Sequence, residues 1–251
     1  MGRVLISGAN QGIGFYIAKQ LLTDGNIVAV LDIETDGLIK LAEEYPERLF
    51  IFKCDVSSAE ETNAAVAEAA KILNGIDCAV HNACKCTFAA MENTTDETYR
   101  SVFDVNYFGA LNIARAAVPV MKKQGGGRII FTSSGVGIMG FVNISPYASS
   151  KAAIESLAKC LNIEYQGSGI TFHIFHPPLT KTKSSAPLPV PQEFMADPEK
   201  VGTGLAKRMF KNKFIICHSF GQSIQTKMAY LFPLAMGKLL SKMTAKSAEA
   251  K

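Results

Sequence analysis

Short apolar runs of strand-forming residues alternate with amphipathic helical segments over the first 218 residues of this chain of 251 residues. The runs are apolar on both faces, which is typical of buried strands in a parallel sheet with helices packed on each side. We therefore predict an α/β fold with a single, doubly wound parallel sheet of about seven strands. The predicted strands are residues 4–7, 27–31, 49–53, 77–81, 128–132, 170–175 and 214–217.

Two helix starts are indicated by residues that commonly cap helices. Ser57 with Glu60 forms a capping-box pattern before an Ala-rich helix. Ser145 and Pro146 match the N-cap and first position of a helix that runs to about residue 166. The proline-rich stretch 180–198 instead follows a strand directly, so we expect a loop that acts as a substrate lid.

A glycine-rich turn, from Gly8 to Gly14, directly follows the first predicted strand and opens the first predicted helix. Such a turn lets the backbone approach a dinucleotide pyrophosphate closely, and the helix N-terminus offers it unpaired amide donors. The spacing is GxxxGxG rather than GxGxxG, so the prediction depends on the position between strand and helix. It indicates a Rossmann-like sheet. The candidate cofactor-binding residues of the turn are Gly8, Asn10, Gln11, Gly12, Ile13 and Gly14.

An acidic residue, Asp32, ends the second predicted strand, 20 residues after Gly12. A carboxylate at this position accepts hydrogen bonds from the ribose hydroxyls of adenosine and repels a 2′-phosphate. Gln11, Ile33 and Glu34 bring no positive charge to the same region. We therefore predict NAD rather than NADP as the cofactor, with Asp32 and Ile33 among its contacts.

Tyr147 and Lys151 are four residues apart in a predicted helix, so both side chains point from one face. A free tyrosine has a pKa of about 10 and transfers protons poorly at neutral pH. A neighbouring ammonium group favours the phenolate, so we expect Lys151 to lower the pKa of Tyr147. The pair therefore predicts proton transfer between Tyr147 and an alcohol or carbonyl oxygen while a hydride moves.

Together these motifs resemble the short-chain dehydrogenase/reductase family along residues 2 to about 218. Residues 7–14 are similar to the family's TGxxxGIG, and the segment from Tyr147 to Lys151 is similar to YxASK. The resemblance implies that the protein is an enzyme, an oxidoreductase with a nicotinamide cofactor, and that it forms a homodimer or homotetramer.

The resemblance also implies a role for each matching side chain. Tyr147 would be the general acid/base, and Lys151 would lower its pKa and bind the nicotinamide ribose. Ser134, 13 residues before the tyrosine, would polarise the substrate oxygen. Asn106 would hold a proton-relay water, although it could instead simply link helices. The implied catalytic residues are Asn106, Ser134, Tyr147 and Lys151.

Two motifs depart from the family pattern. Its NNAG after the fourth strand is here His-Asn-Ala-Cys, so Cys84 replaces a glycine beside the cofactor. Its Pro-Gly after the sixth strand is here Pro177-Pro178, and the second proline removes a backbone donor and stiffens the floor of the nicotinamide pocket. The further cofactor-binding residues implied by the resemblance are Asp55 and Val56, at the adenine, and Asn82, Ala83, Cys84, Pro177, Thr180 and Thr182.

The expected substrate position has apolar neighbours, so we predict a hydrophobic secondary alcohol or ketone as the substrate. The Pro-Pro pair and an apolar basic tail are loosely similar to the branch that reduces 3-ketosphinganine, although that branch generally uses NADPH, against Asp32. The apolar neighbours are Met139, Phe141, Val142, Leu188 and Val190.

The C-terminal part differs in charge from the rest of the chain. Residues 207–251 hold nine Lys/Arg and one acidic residue, so the remainder is net acidic although the whole chain carries +4. We predict a catalytic domain of residues 1–221 and a helical extension of residues 222–251, where Lys227, Lys238, Lys242 and Lys246 alternate with apolar stretches. The extension is expected to contact a membrane surface or to cover the active site, or else to pack on the body or on a partner subunit.

Composition argues against several other classes. No apolar run approaches the roughly 20 residues that span a bilayer, and no secretory signal is evident, so we expect a cytoplasmic location, with membrane association through the tail as an alternative. The six cysteines include no CxxC, and the four histidines lack metal-ligand spacing, so no metal is expected. The charge asymmetry points to a surface contact rather than to nucleic acid.

Two other functions compete with the enzyme. A nucleotide-binding scaffold that keeps the fold without turnover would usually lack the tyrosine or the lysine, and both are present. A peripheral membrane protein whose enzyme activity is secondary is the second alternative.

Overall fold

The computed structural model describes residues 2–188 and 190–249, with side chains through residue 242 and the same gap. The side chain of Lys246 and the last two residues of the predicted extension therefore lie outside the described part. The strands are β1 (Arg3–Ser7), β2 (Ile27–Asp32), β3 (Leu49–Lys53), β4 (Cys78–His81), β5 (Gly127–Thr132), β6 (Ile170–Phe175) and β7 (Ile215–Ile216). The α-helices are α1 (Gly12–Thr23), α2 (Ile39–Glu44), α3 (Ala59–Leu73), α4 (Asp96–Phe103), α5 (Gly109–Lys123), α6 (Gly135–Met139), α7 (Ser145–Glu164), α8 (Pro198–Ala206), α9 (Phe220–Leu231) and α10 (Pro233–Glu249).

The strands form one parallel sheet in the order β3-β2-β1-β4-β5-β6-β7. This confirms the predicted doubly wound sheet of about seven strands. The strand order reverses between β1 and β4, because the chain first adds strands on one side of β1 and then on the other. Ligands of such sheets bind outside the carboxyl ends of the strands at this reversal.

Two apolar layers hold helices against the sheet. On one face α3, α5 and α7 cover side chains such as Leu5, Phe131 and Phe172, all fully buried. On the other face α1, α2 and α8 cover Ile6, Val30 and others. The strands are buried on both faces, which is why they appear as continuous apolar runs in the sequence. Because the strands are parallel, the loops that leave their carboxyl ends all lie at the same end of the strands.

The strand bounds agree with the predicted ones within two residues at each end, but both predicted helix caps are wrong. The side chain that caps α3 is Ser58, which accepts a hydrogen bond from the Glu61 amide at 3.2 Å. Ser57 instead donates to Asp55 at 2.7 Å. Ser145 is the first residue inside α7, and its hydroxyl lies 2.6 Å from the Tyr99 hydroxyl. In both cases a nearby side chain competes for the serine hydroxyl.

The C-terminal helices α9 and α10 pack against α6, next to the carboxyl end of β5. A Cβ atom at Gly237 of α10 would lie 2.6 Å from the Met139 carbonyl oxygen, so the two segments touch through backbone atoms. The described part of the extension is therefore helical, and it packs on the body of the same chain. Among the described residues, no helix combines the length and apolar character needed to cross a bilayer.

Candidate active site

A cavity of about 1200 Å³ opens at the carboxyl ends of the strands. Most of the predicted site residues line it, although they come from the carboxyl ends of six strands, β1 to β6, and the segments that follow them. Those on the wall are Gly8, Gln11, Gly12, Ile13, Asp32, Ile33, Asp55, Val56, Asn82, Ala83, Cys84, Ser134, Tyr147, Lys151, Pro177, Thr180 and Thr182. Three predicted site residues do not line the cavity and lie behind its wall: Asn10, Gly14 and Asn106.

The glycine-rich turn is too tightly packed for other residues. Gly8 and Gly12 have φ angles of 72° and 62°, a region that favours glycine. A Cβ at Gly8 would lie 2.4 Å from Ala83 Cα, and one at Gly14 would lie 2.2 Å from the Gly8 carbonyl oxygen. The side chain of Gln11, the N-cap of α1, makes no capping hydrogen bond. The N-terminus of α1 therefore faces the cavity as a site for an anionic group.

Asn10 supports the turn from behind. Its backbone amide donates to Asp32 Oδ2 at 2.8 Å, while its side chain bonds Asp36 Oδ1 at 3.2 Å and the Gly37 amide at 2.8 Å. With its side-chain amide turned to these partners, Asn10 is 7% exposed. In this structure Asn10 therefore fixes Asp32 and the loop after β2 and does not line the cavity, so its contact with the cofactor stays a prediction.

Asp32 stands at the end of β2, on the cavity wall, as predicted. The sequence-based argument that no positive charge lies nearby is incomplete, because Lys183 reaches this region from the loop after β6. Its Nζ lies 3.6 Å from Glu34 Oε2, and both side chains are more than half exposed. Exposed pairs of this kind are weak. Lys183 is thus a cation near the expected adenosine ribose, and its pairing with Glu34 is weak.

The loop after β4 is bonded to the glycine turn despite the replacement by Cys84. Asn82 Nδ2 donates to the Gly8 carbonyl at 2.7 Å, and its backbone amide lies 3.3 Å from Ser7 Oγ. Ser7 Oγ is also 3.0 Å from His81 Nδ1. Burial lowers the pKa of His81 to about 3, so this ring is neutral at physiological pH. Asn82 and Ala83 consequently keep a fixed position beside the cavity.

The floor after β6 is built by hydroxyl groups around the second proline. Thr180 donates its hydroxyl to the Pro178 carbonyl at 2.7 Å, and the Thr182 amide donates to Ser185 Oγ at 3.0 Å. A Cβ built on Gly12 would lie 3.2 Å from Thr182 Cγ2, so Thr182 sits over the glycine turn. The segment with two prolines therefore still brings both threonines to the cavity.

Tyr147, Lys151 and Ser134 meet at the cavity end of β5. Lys151 is 1% exposed, and its Nζ donates to the Thr132 carbonyl at 2.8 Å and lies 5.4 Å from the centre of the Tyr147 ring. The Ser134 hydroxyl lies near enough to Tyr147 to lower the pKa of the phenol. The predicted spacing therefore brings a phenol, an ammonium group and a hydroxyl to the same wall.

The pKa values differ from the sequence prediction. Burial raises the pKa of Tyr147 well above its ordinary value, with Cys84 and Cys86 adding to the rise and the bond from Ser134 opposing it. Burial also lowers the pKa of Lys151. The net direction is therefore a rise set by burial, and the lowering of the Tyr147 pKa expected from Lys151 stays a prediction. A phenol with a raised pKa stays protonated at neutral pH, so Tyr147 is a proton donor here.

Asn106 is buried in a π-helical turn, Asp104–Phe108, between α4 and α5. Its Oδ1 accepts from the Lys85 amide at 2.8 Å, and its Nδ2 donates to the Lys85 carbonyl at 3.0 Å and to Ser150 Oγ at 2.8 Å. Both side-chain amide protons are therefore used within the protein. This is the linking role that the sequence left as the alternative, and it anchors α7 beside Lys151.

The opposite end of the cavity is apolar. Met139, Phe141, Leu188 and Val190 line it as predicted, whereas Val142 is 47% exposed and does not. The backbone amide of Val142 instead donates to Ser241 Oγ of α10 at 3.4 Å. Further apolar lining residues are Cys86, Ile144, Phe194, Met195, Ala229, Met236 and Leu240.

The last three of these residues come from α9 and α10, in line with the alternative that the extension covers the active site, although the sequence did not indicate which of its residues face the cavity. Gln222, Gln225 and Thr226 of α9 also line it. One signal was available in Gly237, a glycine inside an otherwise regular helix, which often marks a close contact. Without the fold, however, its partner could not be identified.

Comparisons with known proteins agree with this geometry. Residues 3–192 match the family model described as short chain dehydrogenase. The chain is 36% identical over 207 residues to oxidoreductase UcpA of Salmonella typhimurium, covering 81% of this chain and 78% of that protein. It is 31% identical over 190 residues to the 2-(R)-hydroxypropyl-CoM dehydrogenase of Xanthobacter autotrophicus, with 72% and 76% covered.

Solved structures show the same fold. A short-chain dehydrogenase from Streptomyces avermitilis superimposes with a TM-score of 0.81 at 24% identity, covering 92% of this chain and 93% of that one. The family model spans most of the chain and includes the glycine turn, Tyr147 and Lys151. This protein therefore belongs to the short-chain dehydrogenase/reductase family of oxidoreductases, which bind a nicotinamide cofactor.

Proposed function

We propose that this protein transfers a hydride between NAD(H) and a hydrophobic secondary alcohol or ketone, with Tyr147 as the general acid/base. The observation that carries the proposal is one cavity that has Asp32 and the glycine turn at one end, Tyr147, Lys151 and Ser134 in the middle, and apolar side chains at the other end.

The residues present fit a dinucleotide. The bare N-terminus of α1 and the positive φ angles of Gly8 and Gly12 leave backbone amides and space for a pyrophosphate. Asp32 offers a carboxylate for ribose hydroxyls, and this charge disfavours a 2′-phosphate. Lys183 is the contrary feature, since it is a cation near the same position, but its charge is already opposed by Glu34. We therefore retain NAD as the proposed cofactor.

When bound, the nicotinamide would supply or accept the hydride. The chain's own residues handle the oxygen. Ser134 donates a hydrogen bond to the substrate oxygen and stabilises the charge that develops there. Tyr147, which is a neutral phenol in this structure, gives its proton to a ketone oxygen during reduction or takes it back during oxidation. Lys151, buried behind the ring, stabilises the phenolate that results.

The substrate class follows from the lining of the distal end. Its side chains come from α6, the loop after β6, α9 and α10, and most of them are apolar. Burying apolar substrate surface there contributes binding free energy without any specific polar partner. We therefore expect substrates with an aliphatic or ring body beside the reacting carbon.

A substrate panel tests this proposal. Fatty, steroid and small polar secondary alcohols are offered with NAD, and NADH absorbance is followed, with Tyr147→Phe as the inactive control. We expect kcat/KM to be at least about tenfold higher for the apolar alcohols. Turnover on small polar alcohols only, or equal activity in Tyr147→Phe, would contradict the proposal.

A membrane-surface role is a second candidate, because the C-terminal helices expose large apolar side chains. Phe220, Leu231 and Leu234 are 75%, 67% and 71% exposed, and Lys227 and Lys238 are exposed beside them. Co-sedimentation with anionic vesicles tests it through the double variant L231E/L234E. I163E, at a 73% exposed position on α7, is the matched control. Point variants are preferable to truncation, since truncation would remove part of the cavity wall.

Assembly, location and domain division stay proposals that rest on sequence. We propose a homodimer or homotetramer in the cytoplasm, with the boundary between catalytic domain and extension at residues 221 and 222. Light scattering tests the assembly, and fractionation of expressing cells tests the location.

A further inference from the structure

A polar cluster of four side chains lies beside the catalytic wall, and three of them are buried, whereas Tyr230 is 36% exposed. Its centre is the Glu155 carboxylate, 5% exposed as a residue. Oε1 accepts from Ser133 Oγ at 2.7 Å and lies 2.8 Å from His176 Nε2, while Oε2 accepts from the Tyr230 hydroxyl at 2.5 Å. The members of this cluster belong neither to the glycine turn nor to the proton-transfer residues described above.

The four members come from four separate elements, and three of them adjoin residues of the candidate site. Ser133 precedes Ser134 at the end of β5, and His176 precedes Pro177 at the end of β6. Glu155 lies one helical turn after Lys151 in α7. The fourth member, Tyr230, belongs to α9 of the C-terminal extension. The cluster therefore joins the extension to every strand end and helix that carries the proton-transfer residues.

A buried carboxylate is costly unless donors surround it. Burial raises the pKa of Glu155, but the bonds from His176, Tyr230 and Ser133 outweigh that effect and hold the pKa below its ordinary value. Burial and the neighbouring Glu155 raise the pKa of Tyr230, so its hydroxyl keeps the proton that it donates. Each of the three donors consequently favours the ionised form of Glu155.

We propose that Tyr230 is a positioning residue: its bond to Glu155 holds α9 against α7 and thereby keeps Ser134 and Lys151 aligned in the site. The inference rests on the proposed function, because alignment matters only if these residues act on a substrate. It assigns the extension a place in the enzyme's mechanism, beyond lining the cavity.

The same docking can be followed without any substrate. Thr226, one helical turn before Tyr230, is 5% exposed, and its Oγ1 lies 3.6 Å from the Sγ of Cys217. Cys217 is 6% exposed and is covered by α9, whereas Cys160 on α7 is exposed. Alkylation of Cys217 relative to Cys160 therefore reports how often α9 leaves the body.

The test is Tyr230→Phe, which keeps the ring and removes only the hydroxyl. Tyr165→Phe is the matched control, since Tyr165 packs on Phe172 and no hydrogen bond of its hydroxyl occurs in the described part of the chain. We expect kcat of Tyr230→Phe to fall about tenfold, the scale of one hydrogen bond to a charged group, with the Kd of NADH nearly unchanged. The acid limb of the kcat profile should move to higher pH, because Glu155 loses a donor that lowers its pKa and so protonates at higher pH.

Alkylation, followed by peptide mass spectrometry, should label Cys217 about fivefold faster in Tyr230→Phe than in the wild type, with Tyr165→Phe unchanged. Unchanged Cys217 labelling, or an unchanged kcat and pH profile, would overturn the proposal. If the wild type reduces or oxidises nothing in the panel, the proposed function fails. In that case Cys217 labelling still decides whether the Tyr230 contact holds α9.

Discussion

The two ends of the cavity are built in opposite ways. At the cofactor end, backbone atoms of neighbouring loops touch, so that a single added Cβ at Gly8 or Gly14 would collide with main-chain atoms. At the substrate end, side chains of the loop after β6 and of α6, α9 and α10 converge from positions up to about a hundred residues apart. The cofactor end is rigid because its backbone atoms are in contact, whereas the substrate end is an apolar surface formed by side chains from separate elements.

This difference teaches where each kind of change should act. Backbone packing cannot relax around an inserted atom, so small changes at the cofactor end should have large effects. An apolar wall shares its contacts among many side chains, so one truncation there should change affinity modestly and leave the cofactor site intact. Tyr147 and Lys151 lie between the two ends, and no residue of either end can take over their proton-transfer role.

The largest effect is expected from Tyr147→Phe, which removes the proton donor between the two ends. We expect kcat to fall about 10³-fold, within the usual range for loss of a general acid/base. The Kd of NADH, measured by fluorescence titration, should change little, because the ring and the glycine turn remain. Activity equal to that of the wild type would break the central assignment.

The second largest effect is expected from Gly14→Ala, which tests the backbone packing at the cofactor end. The new Cβ would lie 2.2 Å from the Gly8 carbonyl oxygen and 2.6 Å from Asn82 Nδ2. We expect the free energy of unfolding to fall by roughly 1–3 kcal/mol and NADH binding to weaken. Urea unfolding measures the first quantity. Gly221→Ala is the control, since a Cβ there would meet no atom within 4 Å. Equal stability of the two variants would show that the turn is not rigid.

Asp32→Ala sharpens the account of cofactor choice. Removing this carboxylate should lower the ratio of kcat/KM for NAD to that for NADP by about tenfold, the scale of one charge-assisted hydrogen bond. If Lys183 binds the 2′-phosphate in the Asp32→Ala variant, adding Lys183→Ala should reverse the increase in kcat/KM for NADP. Asp24→Ala, at an exposed position whose carboxylate accepts from Gln20 Nε2 at 2.7 Å, is the control. A ratio unaffected by Asp32→Ala would remove the main support for NAD.

The smallest effect is expected at the substrate end. Met236 of α10 lines the cavity, whereas Leu239, three residues later, is 53% exposed. Met236→Ala should raise KM for apolar substrates about fivefold through lost apolar contact, with NADH affinity unchanged. Leu239→Ala should behave as the wild type. If Leu239→Ala has the larger effect, the proposed wall is on the wrong face of α10.

Local patterns were sufficient for the fold and for the cofactor end. The strands between Arg3 and Phe175 are continuous apolar runs because both faces of a parallel sheet are covered, so their bounds could be predicted closely. Gly8, Gly12, Asp32, Tyr147 and Lys151 follow directly from strand ends or helix spacing. The contacts of Asn10 and Asn106 could not be predicted in this way, since their partners Asp36 and Ser150 are 26 and 44 residues away.

The sequence by itself determined the element order, the glycine turn and the spacing of the proton-transfer residues, because each depends on neighbours within a few positions along the chain. Only the tertiary structure decided the hydrogen-bond partners, the burial and the neighbouring side chains of these residues. It placed Ser58 rather than Ser57 at a helix cap, raised rather than lowered the pKa of Tyr147 by burial, and brought Tyr230 onto Glu155, 75 residues away. Burial and hydrogen bonding depend on atoms that come into contact only after folding. They determine the pKa of a group such as Tyr147 and the shape of the cavity that would bind a substrate.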